Sequence, residues 1–174
     1  DRRQRQMCIR DRHAILTSRV IDRPMRPLFP KDYRNDVTLV NMVMSVDPEC
    51  NPEIPAMLGS SIATCISDIP FDGPCATTQV GLINGEYIIN PTMAQKDVSD
   101  LQLTVASTRE KVIMIEAGAK EVPEDKMIEA IYKAHEVNQE IIKFIDKIVE
   151  ECGKPKHSYE SCAVPEAVSY THLR

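Results

Sequence analysis

Between residues 37 and 46 the chain reads VTLVNMVMSV, where Val40, Met42, Met44 and Val46 alternate with Asn41 and Ser45. Apolar side chains at every second position predict a half-buried strand, closed by Asp47-Pro48. The period then changes. Ile54, Leu58, Ile62, Ile66 and Ile69 recur at helical spacing and predict a helix over residues 51–67. Asn51 suits its cap, Pro52 its first position and Glu53 the positive end of its dipole. A second stripe of small residues (Ala56, Gly59 or Ser60, Ala63, Ser67) would let another backbone approach closely.

Past a turn at DIPFDGP, the stretches TTQVGLI and EYII flank Asn84-Gly85, a strong two-residue hairpin signal. LQLTVAS and KVIMIEA, with Leu101, Leu103 and Val105 alternating, predict a second hairpin across residues 108–110. The longest helix is predicted over residues 123–152. Its apolar stripe is Ile128, Ile131, His135, Asn138, Ile142, Ile145 and Val149, opposite a charged side, and Gly153 and Pro155 end it. Upstream, HAILTSRVID (13–22) reads as a short helix or helix end. Pro24 disfavours helical geometry at Arg23, so that helix is expected to stop near Asp22, with an extended or turned path to Pro30. Helices interspersed with antiparallel hairpins argue an α+β fold.

Composition narrows the class. A chain of 174 residues with 43% apolar and 27% charged residues is of ordinary globular make-up and large enough to bury a core. No apolar run is long enough to cross a membrane, and no secretory signal is visible. The six cysteines, at 8, 50, 65, 75, 152 and 162, form no CxxC and no zinc-ligand spacing, which favours reduced thiols of a cytoplasmic protein. Net charge is −5, yet residues 1–34 hold ten Lys/Arg against four Asp/Glu. Such asymmetry points to nucleic acid. The opening DRRQRQMCIRDR and the closing VSYTHLR lack any apolar period and resemble translated sequencing-adapter DNA. Residues 1–12 and 168–174 are therefore set aside as non-native extensions. The remaining basic segment, 13–34, still carries five Lys/Arg against two acids.

Candidate chemistry is sparse. Neither phosphate-cradling glycine motif occurs, and His135-Glu136 lacks the second histidine of a zinc protease. His135 and Asn138, on the apolar stripe, read as structural. Gly59-Ser60-Ser61 could present hydroxyls to a phosphate, but a position inside a helix favours packing. Arg19, Arg23 and Arg26, spaced four and three, would share one side if helical geometry persisted. Their guanidinium forks suit phosphate oxygens, while Asp22 and nearby carboxylates offer the alternative of surface ion pairs.

SRVIDRPMRPLFP, SVDPECNPEIPAMLGSSIA, SDIPFDGP, VGLINGEYIINPT and a long helix ending ECGKPK, in this order, resemble the bacterial polynucleotide phosphorylases. More narrowly, residues 14–165 resemble the latter part of their first RNase PH-type core domain. The resemblance implies an RNase PH-like α+β core, incomplete at its N-terminus, over residues 13–152, and a linker toward a helical domain over 153–167. It implies a cytoplasmic nucleotidyltransferase that degrades RNA (mRNA turnover) from the 3′ end, with inorganic phosphate as co-substrate and Mg²⁺ held in a second core absent from this chain. It further implies a homotrimeric ring and possible contacts with RNA-degradosome components. On this resemblance Arg19, Arg23 and Arg26 match an arginine run beside the RNA path. Ser60, Ser61 and Asp100 are counterparts of the second core's phosphate site, whereas Asn90 and Thr104 lack the expected acid and lysine. This part would then serve RNA guidance and trimer assembly, with no catalytic or metal-binding residue of its own. The alternative is a non-catalytic RNase PH-like scaffold and RNA-binding subunit of an exosome-type ring.

Overall fold

The structure, a computed structural model, describes residues 15–162. The two expected extensions and the start of the first helix lie outside the described residues. The elements in chain order are α1 (residues 15–25), a 3-10 turn (Arg26–Leu28), α2 (Glu53–Ile66), β1 (Ala76–Ile83), β2 (Glu86–Ile89), α3 (Met93–Val98), β3 (Leu101–Ser107), β4 (Val112–Ala119) and α4 (Glu124–Cys152). This is the expected α+β class.

The four strands form one sheet, in the order β2-β1-β3-β4, antiparallel throughout. The first hairpin turns at Asn84 (φ 52°) and Gly85 (φ 85°), the left-handed region that Asn and Gly adopt most readily. Strand alternation sorts the sheet into two faces. On one, Val80, Leu82, Leu101, Leu103 and Val105 pack beneath Ala130 and Ala134 of α4. On the other, Cys75, Ala106 and Met114 join Ile21 and Met25 of α1 and Ile54 and Met57 of α2. Full burial of such a side chain contributes about 1.5–3 kcal/mol, so these two layers hold the fold.

The structure departs from the sequence expectations at several places. Helix α1 continues through Pro24 to Met25, because burying Ile21, Pro24 and Met25 offsets the local penalty that proline imposes. Residues 37–46 form no strand. They carry no regular secondary structure and are largely exposed, with Val40 and Met42 both 77% and Met44 88% accessible. Their alternation suits a sheet, but no ladder partner exists among the described residues. On α2 the buried residues are Ile54, Met57, Ser60, Ser61, Thr64 and Cys65, while Leu58, Ile62 and Ile66 are only half-buried. The buried line of α4 is Ala130, Ala134, Asn138, Ile142 and Ile145, and Ile128 is exposed. Of the small-residue stripe expected on α2 only Ser60 is buried, and Gly59 and Ala63 are exposed, because the side that packs is the one carrying Ile54 and Met57. On α4 the small Ala130 and Ala134 let the backbone come close to the sheet. Finally, α3 is closed by a capping box between Thr92 and Gln95, which the sequence reading did not anticipate.

Candidate functional site

Because α1 stays helical past Pro24, the spacing of four and three brings Arg19, Arg23 and Arg26 onto one side of the chain. Arg26 is engaged: Nη2 lies 2.6 Å and Nε 3.1 Å from the two Asp22 carboxylate oxygens, in an exposed two-pronged pair. Arg19 and Arg23 are exposed and make no ion pair among the described residues. Arg19 and Arg26 edge a groove of about 510 Å³, walled by Ile15, Phe29, Val37 and Leu39. Phe29 is steadied by Phe71, ring centroids 5.1 Å apart, and the Asp72 amide donates to the Leu28 carbonyl at 2.8 Å. The DIPFDGP turn thereby braces the end of the arginine run.

Ser60 and Ser61 lie inside the fold. The Ser60 hydroxyl donates to the Ala56 carbonyl at 2.8 Å and sits 3.1 Å from Asn41 Oδ1. The Ser61 hydroxyl, fully buried, accepts the Cys75 amide at 3.1 Å and so ties α2 to the start of β1. Beside it, burial pushes the Cys65 thiol up to about 11, with nearby Cys75 adding to the shift. Asp100 is exposed just before β3, and its amide donates to the carbonyl of Leu82 near the far end of β1. Cys75 and Leu82 are seven positions apart, so about 23 Å of strand separates the Ser61 contact from the Asp100 contact. The structure does not bring them together.

Asn90 and Thr104 also have structural partners. Asn90 takes a left-handed corner (φ 50°), and its side chain accepts the Gln79 amide at 3.0 Å. Thr104 accepts from the Gln79 side chain at 3.4 Å. Thr104 and Gln79 line an open cavity of about 400 Å³ between the second sheet face and the two helices above it. Its polar lining is Glu53, Gln79, Lys96, Gln102, Thr104 and Glu116. Burial lowers the pKa of Lys96, and Glu53 opposes that shift. The sequence reading passed over Gln79, Lys96 and Gln102. For Gln79 and Gln102 the signal was available, since polar residues within β1 and β3 interrupt an otherwise buried sheet, whereas Lys96 comes from α3, a helix that the sequence pattern did not mark. Among the described residues no group of three or more His, Cys, Asp and Glu could hold a metal ion. No helix there is long and apolar enough to cross a membrane.

Comparison with known proteins adds a second kind of observation. Residues 1–70 match the model of the 3′ exoribonuclease family, domain 1, and residues 73–137 match that of domain 2. The chain is 79% identical over 154 residues to a polyribonucleotide nucleotidyltransferase of Lachnoclostridium phytofermentans, covering 88% of this chain and 22% of that protein. It is 58% identical over 147 residues to the enzyme of the same name from Shouchella clausii, covering 84% of this chain and 21% of the relative. The chain thus spans about a fifth of the length of the curated relatives it matches. Among solved structures, rice Rrp46 superposes with a TM-score of 0.54 at 14% identity, covering 60% of this chain and 51% of the other, a likeness of fold.

Proposed function

The chain belongs to the 3′ exoribonuclease family, and from that premise we propose that it is part of a phosphorolytic enzyme of the kind for which its relatives are named. In this reading the longer protein cleaves RNA from its 3′ end: inorganic phosphate attacks the terminal phosphodiester, and a nucleoside diphosphate leaves. Such a transfer needs alignment and charge neutralisation rather than a covalent nucleophile.

This part of the protein contributes RNA guidance and ring assembly. The observation that carries the reading is the row of Arg19, Arg23 and Arg26 on one side of the chain, two of them without an acidic partner among the described residues. Guanidinium groups above a groove with an apolar wall fit a single strand, whose phosphates meet the cations while its bases meet Phe29. The phosphate-site reading of Ser60, Ser61 and Asp100 is the weaker part, because both hydroxyls are engaged inside the fold and the carboxylate lies at the other end of β1. The donor set does not fit Mg²⁺ either. Asp100 belongs to no cluster of acidic or imidazole ligands among the described residues, so no step is drawn through a metal in this part. The longer protein works in the cytoplasm as a homotrimer, with degradosome components as further partners.

The test is phosphate-dependent release of nucleoside diphosphates from a 3′-labelled RNA. The comparison is between residues 15–162 alone and a full-length relative carrying them in place of its own segment. Activity in the chimera and none in the isolated part supports the reading. Phosphorolysis by the isolated part overturns it.

A further inference from the structure

Residues 153–162 carry no regular secondary structure, yet they are held along their length. The Lys154 amide donates to the Ile66 carbonyl at 3.0 Å. The Lys156 ammonium donates to the carbonyls of Thr64, Cys65 and Ser67, at 3.1, 2.9 and 2.8 Å, which satisfies the otherwise open end of α2. The His157 amide donates to the Asp68 carbonyl at 2.7 Å. Beyond α2 the segment reaches the loop that follows the arginine run. The Tyr33 ring lies 5.9 Å from that of His157 and 5.1 Å, edge-on, from that of Tyr159. Tyr159 donates its hydroxyl to Asp32 Oδ1 at 2.9 Å, Ser161 donates to Oδ2 at 2.6 Å, and the Cys162 amide donates to the Asp32 carbonyl at 3.2 Å.

Both carboxylate oxygens and the carbonyl of one residue, two positions past Pro30, are therefore held from the far end of the chain. Within its own loop that stretch is held, among the described residues, by a turn hydrogen bond from the Tyr33 amide to the Pro30 carbonyl at 3.1 Å. We propose that residues 153–162 form a strap that sets the position of the turn bearing Arg26 and Phe29, and with it one wall of the groove beside Arg19, with Tyr159 and Ser161 as positioning residues acting through Asp32. The inference rests on the reading of Arg19, Arg23 and Arg26 as an RNA contact. The turn is braced on one flank by Phe71 and Asp72 and on the other by the strap, so α4 and the arginines are joined through a path that does not cross the sheet. Hydrogen bonds to a charged acceptor are the stronger kind, and losing both lets the loop leave the binding-competent arrangement for part of the time.

The experiment uses a full-length polyribonucleotide nucleotidyltransferase carrying residues 15–162 of this chain. Tyr159→Phe with Ser161→Ala is compared with Arg19→Ala with Arg23→Ala, and with Ser161→Ala alone as the mildest change. The strap variant is expected to bind single-stranded RNA about three- to tenfold more weakly, with an unchanged dependence on salt, because the arginines remain. Its kcat and its KM for phosphate stay as they were, and amide exchange accelerates at residues 26–33. The arginine variant loses both affinity and salt dependence. Unchanged RNA affinity in the strap variant, with the arginine variant weakened, overturns the strap and leaves the RNA reading standing. An arginine variant that binds normally overturns the RNA reading, and amide exchange at 26–33 then decides the strap by itself: no acceleration overturns it.

Discussion

Asn138, midway along α4 and fully buried, accepts the Thr78 hydroxyl at 2.6 Å and donates its amide to the Val105 carbonyl at 3.1 Å. One side chain thus locks the long helix to β1 and β3 within an otherwise apolar layer. Asn138→Ala leaves the Thr78 hydroxyl without its partner and opens a small cavity, so a loss of about 2–4 kcal/mol is expected. Native-state hydrogen exchange of β1 and α4 in the full-length protein measures it. A loss below about 1 kcal/mol would show that water replaces the amide.

The three arginines are not equal, because Asp22 already engages Arg26. Arg19→Ala and Arg23→Ala together are expected to reduce the slope of log affinity against log salt by about 0.7 per contact removed. Arg26→Ala should change it less. Titrations of single-stranded RNA at several salt concentrations read the slope directly, and equal effects from all three would mean that Asp22 releases Arg26 on binding.

Thiol reactivity should follow burial. Cys65 and Cys75 are buried and burial raises both thiols, Cys65 to about 11, whereas Cys50, Cys152 and Cys162 are exposed. Among the five cysteines of the described residues, alkylation near pH 8 is expected to label the exposed three at once and the buried two only after denaturant is added. Mass spectrometry of the labelled peptides checks this. Rapid modification of Cys65 would mean that the end of α2 opens readily.

The strap has an acid limit. The hydroxyls of Ser161 and then Tyr159 hold the Asp32 carboxyl below the usual carboxylate range. A depressed carboxyl pKa adds stability above its unfolded value of about 3.9, and that stability is lost as pH falls through the folded value. Protection of amides 26–33 should therefore hold at neutral pH and decline only below about pH 4. Asp32→Asn should remove this acid dependence. Decline near pH 6 would assign the release to another group.

Val40, Met42, Val43 and Met44 are exposed in a segment that carries no regular secondary structure and has no ladder partner among the described residues. Residues 15–162 produced alone are expected to associate, and Met42→Glu with Met44→Glu to reduce that association. Light scattering after size exclusion distinguishes this from a monodisperse monomer, which would refute it.

Much of this molecule follows from local pattern. The two hairpins, the Asn84-Gly85 turn, the long helix and the α+β class are written in period and turn chemistry, because each depends on residues close in sequence. The arginine run is equally legible, as spacing and charge. Tertiary structure decided which side of each helix is buried, since small residues such as Ala130, Ala134 and Ser61 gain by close approach only when a sheet is there to approach. It also decided that α1 passes through Pro24, that Ser61 serves the Cys75 amide and lies a strand's length from Asp100, and that residues 153–162 return to Asp32. These depend on contacts between residues far apart in the chain, whose strength comes from desolvation and geometry that no local pattern encodes.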